Sequence, residues 1–486
     1  MGNSGRFNTF NIKRALSYCK RNGLRSTYYK VLERIERDRD ERDYITVAMH
    51  ERPTSMELNE QVRRKFFHSY KFSLLVPAFN SDPVLFREMM ASVVRQTYDN
   101  WELCIADGSE NDGVENCVKE YCKSLDKETA EKIRYQRLNT NRGIAGNSNG
   151  ALVMAGGDYV ALLDHDDVLS PDALFEIMDV LDEGLIRDGN VYRNRYKAIY
   201  SDEDKINAQG TRYFDFHRKP DFDIDLLRSN NYICHLFAVK TSVAVKAGGF
   251  RSEYNGAQDH DFILRCIEQL DPSEIYHIPK ALYHWRSTPS STAENPDSKL
   301  YAYEAGKKAV TDHLKRLGIE ADVTDTAHLG FFRVKYHVTS PSVKIMDRSE
   351  WESLTKEDIE KLNEELIMVM GPDIKPLTAD FTDELAGVLL RPEVGAVGGK
   401  IYDKKGRIDS AGYIYDEKGE LKPDYRGMNG NYSGYMHRAS IQHKTDGLAA
   451  DCMMIKKAAI VYKDRPVMSD KFITVYDPFA EFKRRS

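Results

Sequence analysis

The sequence predicts an α/β fold: a mixed, mostly parallel sheet with helices on both faces. Three observations predict it. From residue 71 onward, apolar runs alternate with segments at helical spacing, the pattern of βαβ units. Four of the runs lead into polar residues, at the carboxyl edge where open α/β sheets bind ligands. A shortened copy of the pattern follows. At 486 residues the chain has room for two or three domains with cores. Three are expected: a basic helical N-terminal region over 1–70, a complete α/β domain over 71–325, and a truncated copy over 326–486.

In chain order, the first 32 residues carry seven Lys/Arg and no acid. Phe10, Ile12, Leu16 and Cys19 are spaced among them, and the run stops at Gly23. This reads as a helix packed on the next domain or as a basic amphipathic helix on an anionic membrane surface. FSLLVPAF (72–79) is strand one, and residues 83–96 read as a helix with Leu85, Met89, Val93 and Gln96 on one face. WELCIADGS (101–109) holds strand two. IRYQRL (133–138) is strand three, and NTNRGIAGNSNGALVMAGG (139–157) is a loop feeding a helix.

DYVALL (158–163) is strand four and runs into LLDHDDVLSP (162–171). Ser170 suits a helix N-cap, Pro171 its first turn and Asp172 its positive end. That leaves Asp164, Asp166 and Asp167, whose like charges repel and need solvent, a helix N-terminus or a cation to offset them. Downstream, YSDEDKI (200–206) reads as a polar loop. NYICHLFAVKTSVAVKAGGF (231–250), NGAQDHDFILR (255–265) and IPKALYHWRSTPSSTA (278–293) each pair an apolar stretch with polar residues.

The copy serves as an internal control. TSPSVKIM (339–346) looks like the start of strand one. LIMVMGPDIKPLTADFTDELAGVL (366–389) falls on 159–181, with Asp373 on Asp166 but Gly371 on Asp164 and Ile374 on Asp167. GAVGGKIYD (395–403) falls on 199–207 without the acids, and DCMMIKKAAI (451–460) falls on 235–244. VYDPFAEFKRR (475–485) falls more loosely near the Asp259 segment, with Pro478 over Asp259. The segments carrying Asp107 and Arg142 have no counterpart, so the copy is expected to be non-catalytic. The chain stops on KRRS (483–486) where the copy would enter a helix, as a shortened C-terminus would.

Composition narrows the function. A net charge of −6 gives no argument for nucleic acid as a partner. No apolar run approaches a membrane span and no signal-peptide pattern is visible. The seven scattered cysteines match no zinc spacing and read as reduced thiols. A cytoplasmic protein, with peripheral contact to the inner face of the membrane, is expected.

Two enzyme classes place DxD after an apolar strand. Asp164-His165-Asp166-Asp167-Val168 fits the DxDx[TV] of haloacid-dehalogenase phosphatases, with Asp164 as nucleophile and Asp166 as acid/base. In that class the strand is the first of its domain; here it is the fourth. The other class fits more motifs. VPAFN (76–80), ADGS (106–109), NRGIAG (141–146), LLDHDD (162–167), GAQDHD (256–261) and LYHWR (282–286) occur in this order. Together, over residues 71–300, they resemble glycosyltransferase family 2, a GT-A fold. YSDEDKI and the half-copy are similar to bacterial members that build surface polysaccharides such as O-antigen, capsule or rhamnose-rich chains.

The resemblance implies an inverting, metal-dependent transfer of a sugar from a UDP- or dTDP-linked donor to a glycan or lipid-linked glycan acceptor. Mn2+ or Mg2+ suits oxygen ligands and offsets the charge of the leaving diphosphate. Asp166 and Asp164 would hold it, with His284 as a second candidate ligand and Arg286 as a diphosphate clamp. Pro77, Ala78, Phe79 and Asn80 would lie against the nucleotide. Asp107 would accept from the base, and Arg142 would reach ribose or phosphate. Asp259 would take the acceptor proton. Asp167, Asp202, His235 and Asp261 are expected on the acceptor side. Structural roles compete at several positions: Asp107 as a cap of its turn, His284 as a packed ring, Asp261 as a cap or ion-pair partner, and Gly248-Gly249-Phe250 as a tight turn. A scaffold that binds sugar nucleotide or glycan without turnover is the alternative outside catalysis.

Overall fold

The computed structural model describes residues 52–485 except 189–190, 288–299, 340, 417 and 464, together with a few positions between 16 and 31. The basic N-terminal stretch therefore lies largely outside the described residues. The chain divides into two compact units, one within Asp38–Phe222 and Asn231–His313, the other containing Asp223–Asn230 and Leu314–Ser486. The division near 313 precedes the expected boundary at 325, and the hairpin Ala321–Asp325/Phe332–Tyr336 falls in the second unit.

The first unit is built on β1 (Phe72–Ala78), β2 (Trp101–Asp107), β3 (Ile133–Arg137), β4 (Tyr159–Leu162), β5 (Val168–Leu169), β6 (Ala198–Asn207), β7 (Phe237–Lys240) and β8 (Ile275–Ser287). Their order in the sheet is β3-β2-β1-β4-β7-β6-β8-β5. The first four strands are mutually parallel, β8 runs parallel to β6, and β7 and β5 are antiparallel to their neighbours. Connecting helices are α1 (Pro83–Val94), α2 (Gly113–Lys123), α3 (Gly143–Met154), α4 (Ala173–Glu183) and α5 (Gln258–Ile267). Local chemistry starts α1: Asp82 accepts from Val84 N at 2.8 Å, and Pro83 fills the first position. Phe86, Met89, Met90 and Val93 then bury one face. Helix α4 begins slightly later than expected, with Asp172 at the cap and the Ser170 hydroxyl donating to Asp172.

YSDEDKI is not a polar loop. It is the middle of β6 and is buried. Its acids are buried because each has a partner. Asp202 accepts from Lys219 N at 2.8 Å and meets His277 Nε2 at 2.8 Å. Glu203 lies 3.2 Å from His217 Nδ1 and 3.5 Å from Lys219 Nζ. Burial works to raise the Glu203 pKa, but Lys219 and His217 outweigh it and bring it down to about 2.

The second unit carries β9 (Val343–Met346), β10 (Leu366–Met370), β11 (Ile374–Pro376), β12 (Val394–Tyr402), β13 (Cys452–Lys456) and β14 (Ile473–Arg484), ordered β9-β10-β13-β12-β14-β11. Helix α6 (Phe381–Leu389) follows β11. This reproduces the order β1-β4-β7-β6-β8-β5, with strand β9 at the edge and, among the described residues, no counterpart of β2 or β3 beyond it. The loose match of 475–485 to the Asp259 segment is overturned. These residues lie in β14, parallel to β12 as β8 is to β6. The β-branched and aromatic residues Ile473, Val475, Tyr476 and Phe482 favour a strand there. Within this unit the short helix Ile224–Ser229 is tied down by a buried pair in which Arg391 donates through both Nη atoms to Asp225.

Among the described residues no helix is long and apolar enough to cross a membrane. All seven cysteines are free.

Candidate active site

The parallel register of β1 with β2 and β4 brings the ends of those strands to one edge. Phe79, just past β1, is 39% exposed there, unusual for a ring so close to a core. Asn80 takes a positive φ of 48°, its N–H donates to Ser109 Oγ at 2.7 Å, and its side-chain oxygen accepts from Glu110 N at 3.2 Å. Asp107 is fully buried. One of its oxygens accepts from Ser109 N at 2.8 Å, the expected turn cap, and the other accepts from Tyr135 Oη at 2.8 Å. Arg142 caps α3, is exposed, and lines an open cleft of about 220 Å3.

Asn147 was not among the expected residues. It donates to Ala78 O at 3.2 Å and accepts from Arg142 N at 3.3 Å, joining the ends of β1 and α3. A Cβ on Gly108 would meet its Nδ2 at 2.8 Å, so the Asp-Gly-Ser turn needs glycine for this close approach. The signal was present in the run of Asn and Ser inside a helix, where both are poor formers.

A cavity of about 50 Å3 joins Pro77, Ser148, Asp164, His235 and Asp259. Four of the expected site residues, Pro77, Asp164, His235 and Asp259, therefore meet. Asp164 Oδ2 is 3.8 Å from His235 Nε2, and the His235 ring stacks on Tyr283 with centroids 4.5 Å apart. Burial pushes the Asp164 carboxyl above its usual range; His235 opposes this and Asp166 adds to it. Asp166 is half-buried and lies 3.9 Å from His165 Nδ1. Asp259 sits in the first turn of α5, and its Oδ2 accepts from Asn231 Nδ2 at 2.8 Å. Cys234 Sγ is 3.8 Å from the same oxygen. Burial, Glu203 and Asp259 hold that thiol well above its usual pKa. Neither Asn231 nor Cys234 was anticipated; the trace of them lay in NYICH.

Several expected residues are placed elsewhere. His284 is buried in β8 and turned to Asp204, Nδ1 to Oδ1 2.6 Å, because β6 and β8 pair these residues directly. Among the described residues it does not join Asp164 and Asp166 at ligand spacing. Arg286 is buried and its guanidinium is spent on the Asp166 carbonyl at 2.7 Å, the Ala208 carbonyl at 3.1 Å and Glu88 at 2.6 Å. Asp167, fully buried, accepts from Tyr283 Oη and from Arg286 N, an anchor between the β4 end and β8 rather than an acceptor-side group. Burial pushes its carboxyl well up, and Asp166 and Asp164 push further. Asp202 is held by Lys219 and His277 as above. Asp261 is buried between Arg251 and Arg265, which also holds the Gly249 carbonyl at 2.6 Å. Gly248-Gly249-Phe250 is a turn clamped to α3, Phe250 N donating to Asn149 Oδ1 at 2.8 Å, and Phe250 also lines the cavity.

Fold and site define a ligand-binding α/β domain with carboxylates gathered at the end of its fourth strand, not the first-strand site of a phosphatase. Residues 73–244 match the family model described as glycosyl transferase family 2, and this domain belongs to that family. Uncharacterized protein y4gI of Sinorhizobium fredii is 32% identical over 463 residues, covering 82% of this chain and 49% of y4gI. O-antigen biosynthesis protein RfbC of Myxococcus xanthus is 28% identical over 402 residues, covering 70% of this chain and 30% of RfbC. The chain thus spans half or less of the length of these relatives. A solved structure of TarS residues 1–349 from S. aureus is 19% identical with a TM-score of 0.38, covering 50% of this chain and 65% of that one.

Proposed function

We propose that the first domain transfers a sugar from a nucleotide-sugar donor to a glycan or lipid-linked glycan acceptor in bacterial surface-polysaccharide synthesis. The observation that carries this reading is the meeting of Asp164, His235 and Asp259 in one cavity beside the β1 end. The family match supports the reaction class. The name of one relative, an O-antigen biosynthesis protein, supports surface-polysaccharide synthesis as the setting.

The nucleotide lies against Phe79 and Asn80, with Asp107 facing the base and Arg142 the ribose or phosphates; UDP or dTDP is the expected carrier. Asp164 and Asp166 fit a divalent cation. They are oxygen donors suited to Mg2+ or Mn2+, and a cation would offset the burial and the Asp166 charge that push the Asp164 carboxyl up against His235 and His165. When bound, such a cation supplies neutralisation of the diphosphate. Asp259, held by Asn231, accepts the proton of the acceptor hydroxyl. The acceptor oxygen forms its bond to the anomeric carbon as the bond to the diphosphate breaks on the opposite face, giving inversion. Contact of the basic stretch 1–32 with anionic lipid belongs to the same reading; liposome flotation unchanged by deleting it would remove that part.

The test is a thermal-shift titration with UDP, dTDP, GDP and CMP, with and without Mn2+, on wild type and Asp166→Ala. Ligands of the native state raise its melting temperature by mass action. A Mn2+-dependent shift with UDP or dTDP, lost in the variant, is expected, followed by transfer to native acceptors with inverted product in NMR. Binding without any transfer would favour the scaffold alternative.

A further inference from the structure

Beside the donor carboxylates lies a group of different chemistry. A sulfur of Cys234, a ring nitrogen of His235 and a carboxylate oxygen of Asp259 all lie within 4.8 Å of one another. Successive side chains of an extended chain point to opposite sides. Cys234 departs from that geometry with a φ of 38°, and both its side chain and that of His235 approach Asp259. The His235 side chain is 9% exposed, and its Nδ1 is buried with no hydrogen-bond partner among the described residues. Buried polar atoms are seldom left so. Stacking on Tyr283 fixes the ring, and Asn231 fixes the carboxylate.

One sulfur, one nitrogen and one oxygen make a donor set for a borderline-soft cation with a fourth position open to water. Mg2+ and Mn2+ favour oxygen instead. We propose that Cys234, His235 and Asp259 bind a divalent cation of the zinc class, and that its binding stops turnover by occupying the carboxylate that accepts the acceptor proton. Binding replaces the thiol proton, which passes to solvent, and no electron is transferred. The site stands on its geometry; the inhibition rests on Asp259 being the base.

The experiment titrates the full chain, stripped with chelator, with Co2+ and follows the thiolate-to-cobalt charge-transfer absorption. One equivalent should produce the band in wild type and in Asp166→Ala, excess Zn2+ should bleach it, and Cys234→Ser should lack it. Affinity for Zn2+ should fall by roughly tenfold or more in His235→Ala, given that even outer-shell changes cost 10–100-fold. Circular dichroism shows that each variant is folded. No thiolate band in folded wild type, or an undiminished band in Cys234→Ser, overturns the site. Zn2+ should also inhibit transfer by wild type and spare Cys234→Ser. Tight binding through Cys234 with undiminished transfer overturns the inhibition and, with it, the assignment of Asp259 as base, while the site stands.

Discussion

The two sheets of this chain run in the same order, β1-β4-β7-β6-β8-β5 in the first and β9-β10-β13-β12-β14-β11 in the second, yet the acids at their carboxyl edges are paired differently. In the first, Asp164, Asp166 and Asp259 gather, with His235 and His165 opposing the push on Asp164. In the second, Gly371 stands for Asp164, and the acids that remain are neutralised from within. Arg484 reaches Asp409 at 2.7 Å, Asp451 at 2.8 Å and Asp373 at 3.2 Å. Between the strands the charges change sides. Asp204 faces His284 across β6 and β8, whereas Lys400 faces Glu481 across β12 and β14. A frame that folds with its acids removed, capped or exchanged does not require them. Under the proposed function the acids of the first sheet serve a ligand, since the frame does not need them to fold.

The sharpest break of this comparison is Asp259→Asn. Turnover should fall about 10²–10⁴-fold, with nucleotide affinity kept, as read by kinetics beside the thermal-shift titration. Loss of nucleotide binding would mean that the carboxylate serves the donor. Next, Asp225→Ala strands Arg391 in the second unit, and breaking a buried pair from one side costs about 3–5 kcal/mol. Urea melts should show it, and a loss within error would mean the pair is solvated.

Lys400 gives a titration test. Burial pushes its pKa down to about 8, with Glu481 opposing. The unfolded chain, with a pKa near 10.5, then binds more protons between those values. Stability should therefore rise as pH climbs from about 8 to about 10.5. Lys400→Met should abolish this rise and add up to about 3 kcal/mol at neutral pH, seen in denaturant midpoints. A smaller contrast comes from paired variants. Asp166→Ala should remove a Mn2+-dependent nucleotide stabilisation of about 2.7 kcal/mol at a hundredfold excess over Kd, and Asp373→Ala should leave it intact. Smallest is Arg484→Met. About 1 kcal/mol should be lost and partly restored by Mn2+, since Asp373 and Asp451 lose the arginine while Asp409 keeps Arg426; no recovery would mean the arginine does not stand in for a cation.

Much of this architecture can be read in the residues. The apolar runs of β1, β2 and β4 and the polar residues after them are local signals, and so is the copy at 366–389. What could not be read depends on partners far along the chain. SDED looks solvated until Lys219, His277 and His284 come beside it. Arg286 looks free for a phosphate until Glu88 takes it. For Asp167 and Asp261, sequence shows a charge and only the fold shows that both oxygens are bonded. Asn231 escaped notice because an amide among apolar residues carries no motif.

The segment Asp223–Asn230 belongs to the second unit, although chain assigned to the first unit flanks it on both sides. No single cut can then separate the two bodies cleanly. A gene split at residue 313 would leave Asp225 on one polypeptide and Arg391 on the other, two buried charges deprived of each other. The residue after the segment is Asn231, the amide that steadies Asp259. Dissecting the first unit on its own would thus release one end of the peptide that presents this amide.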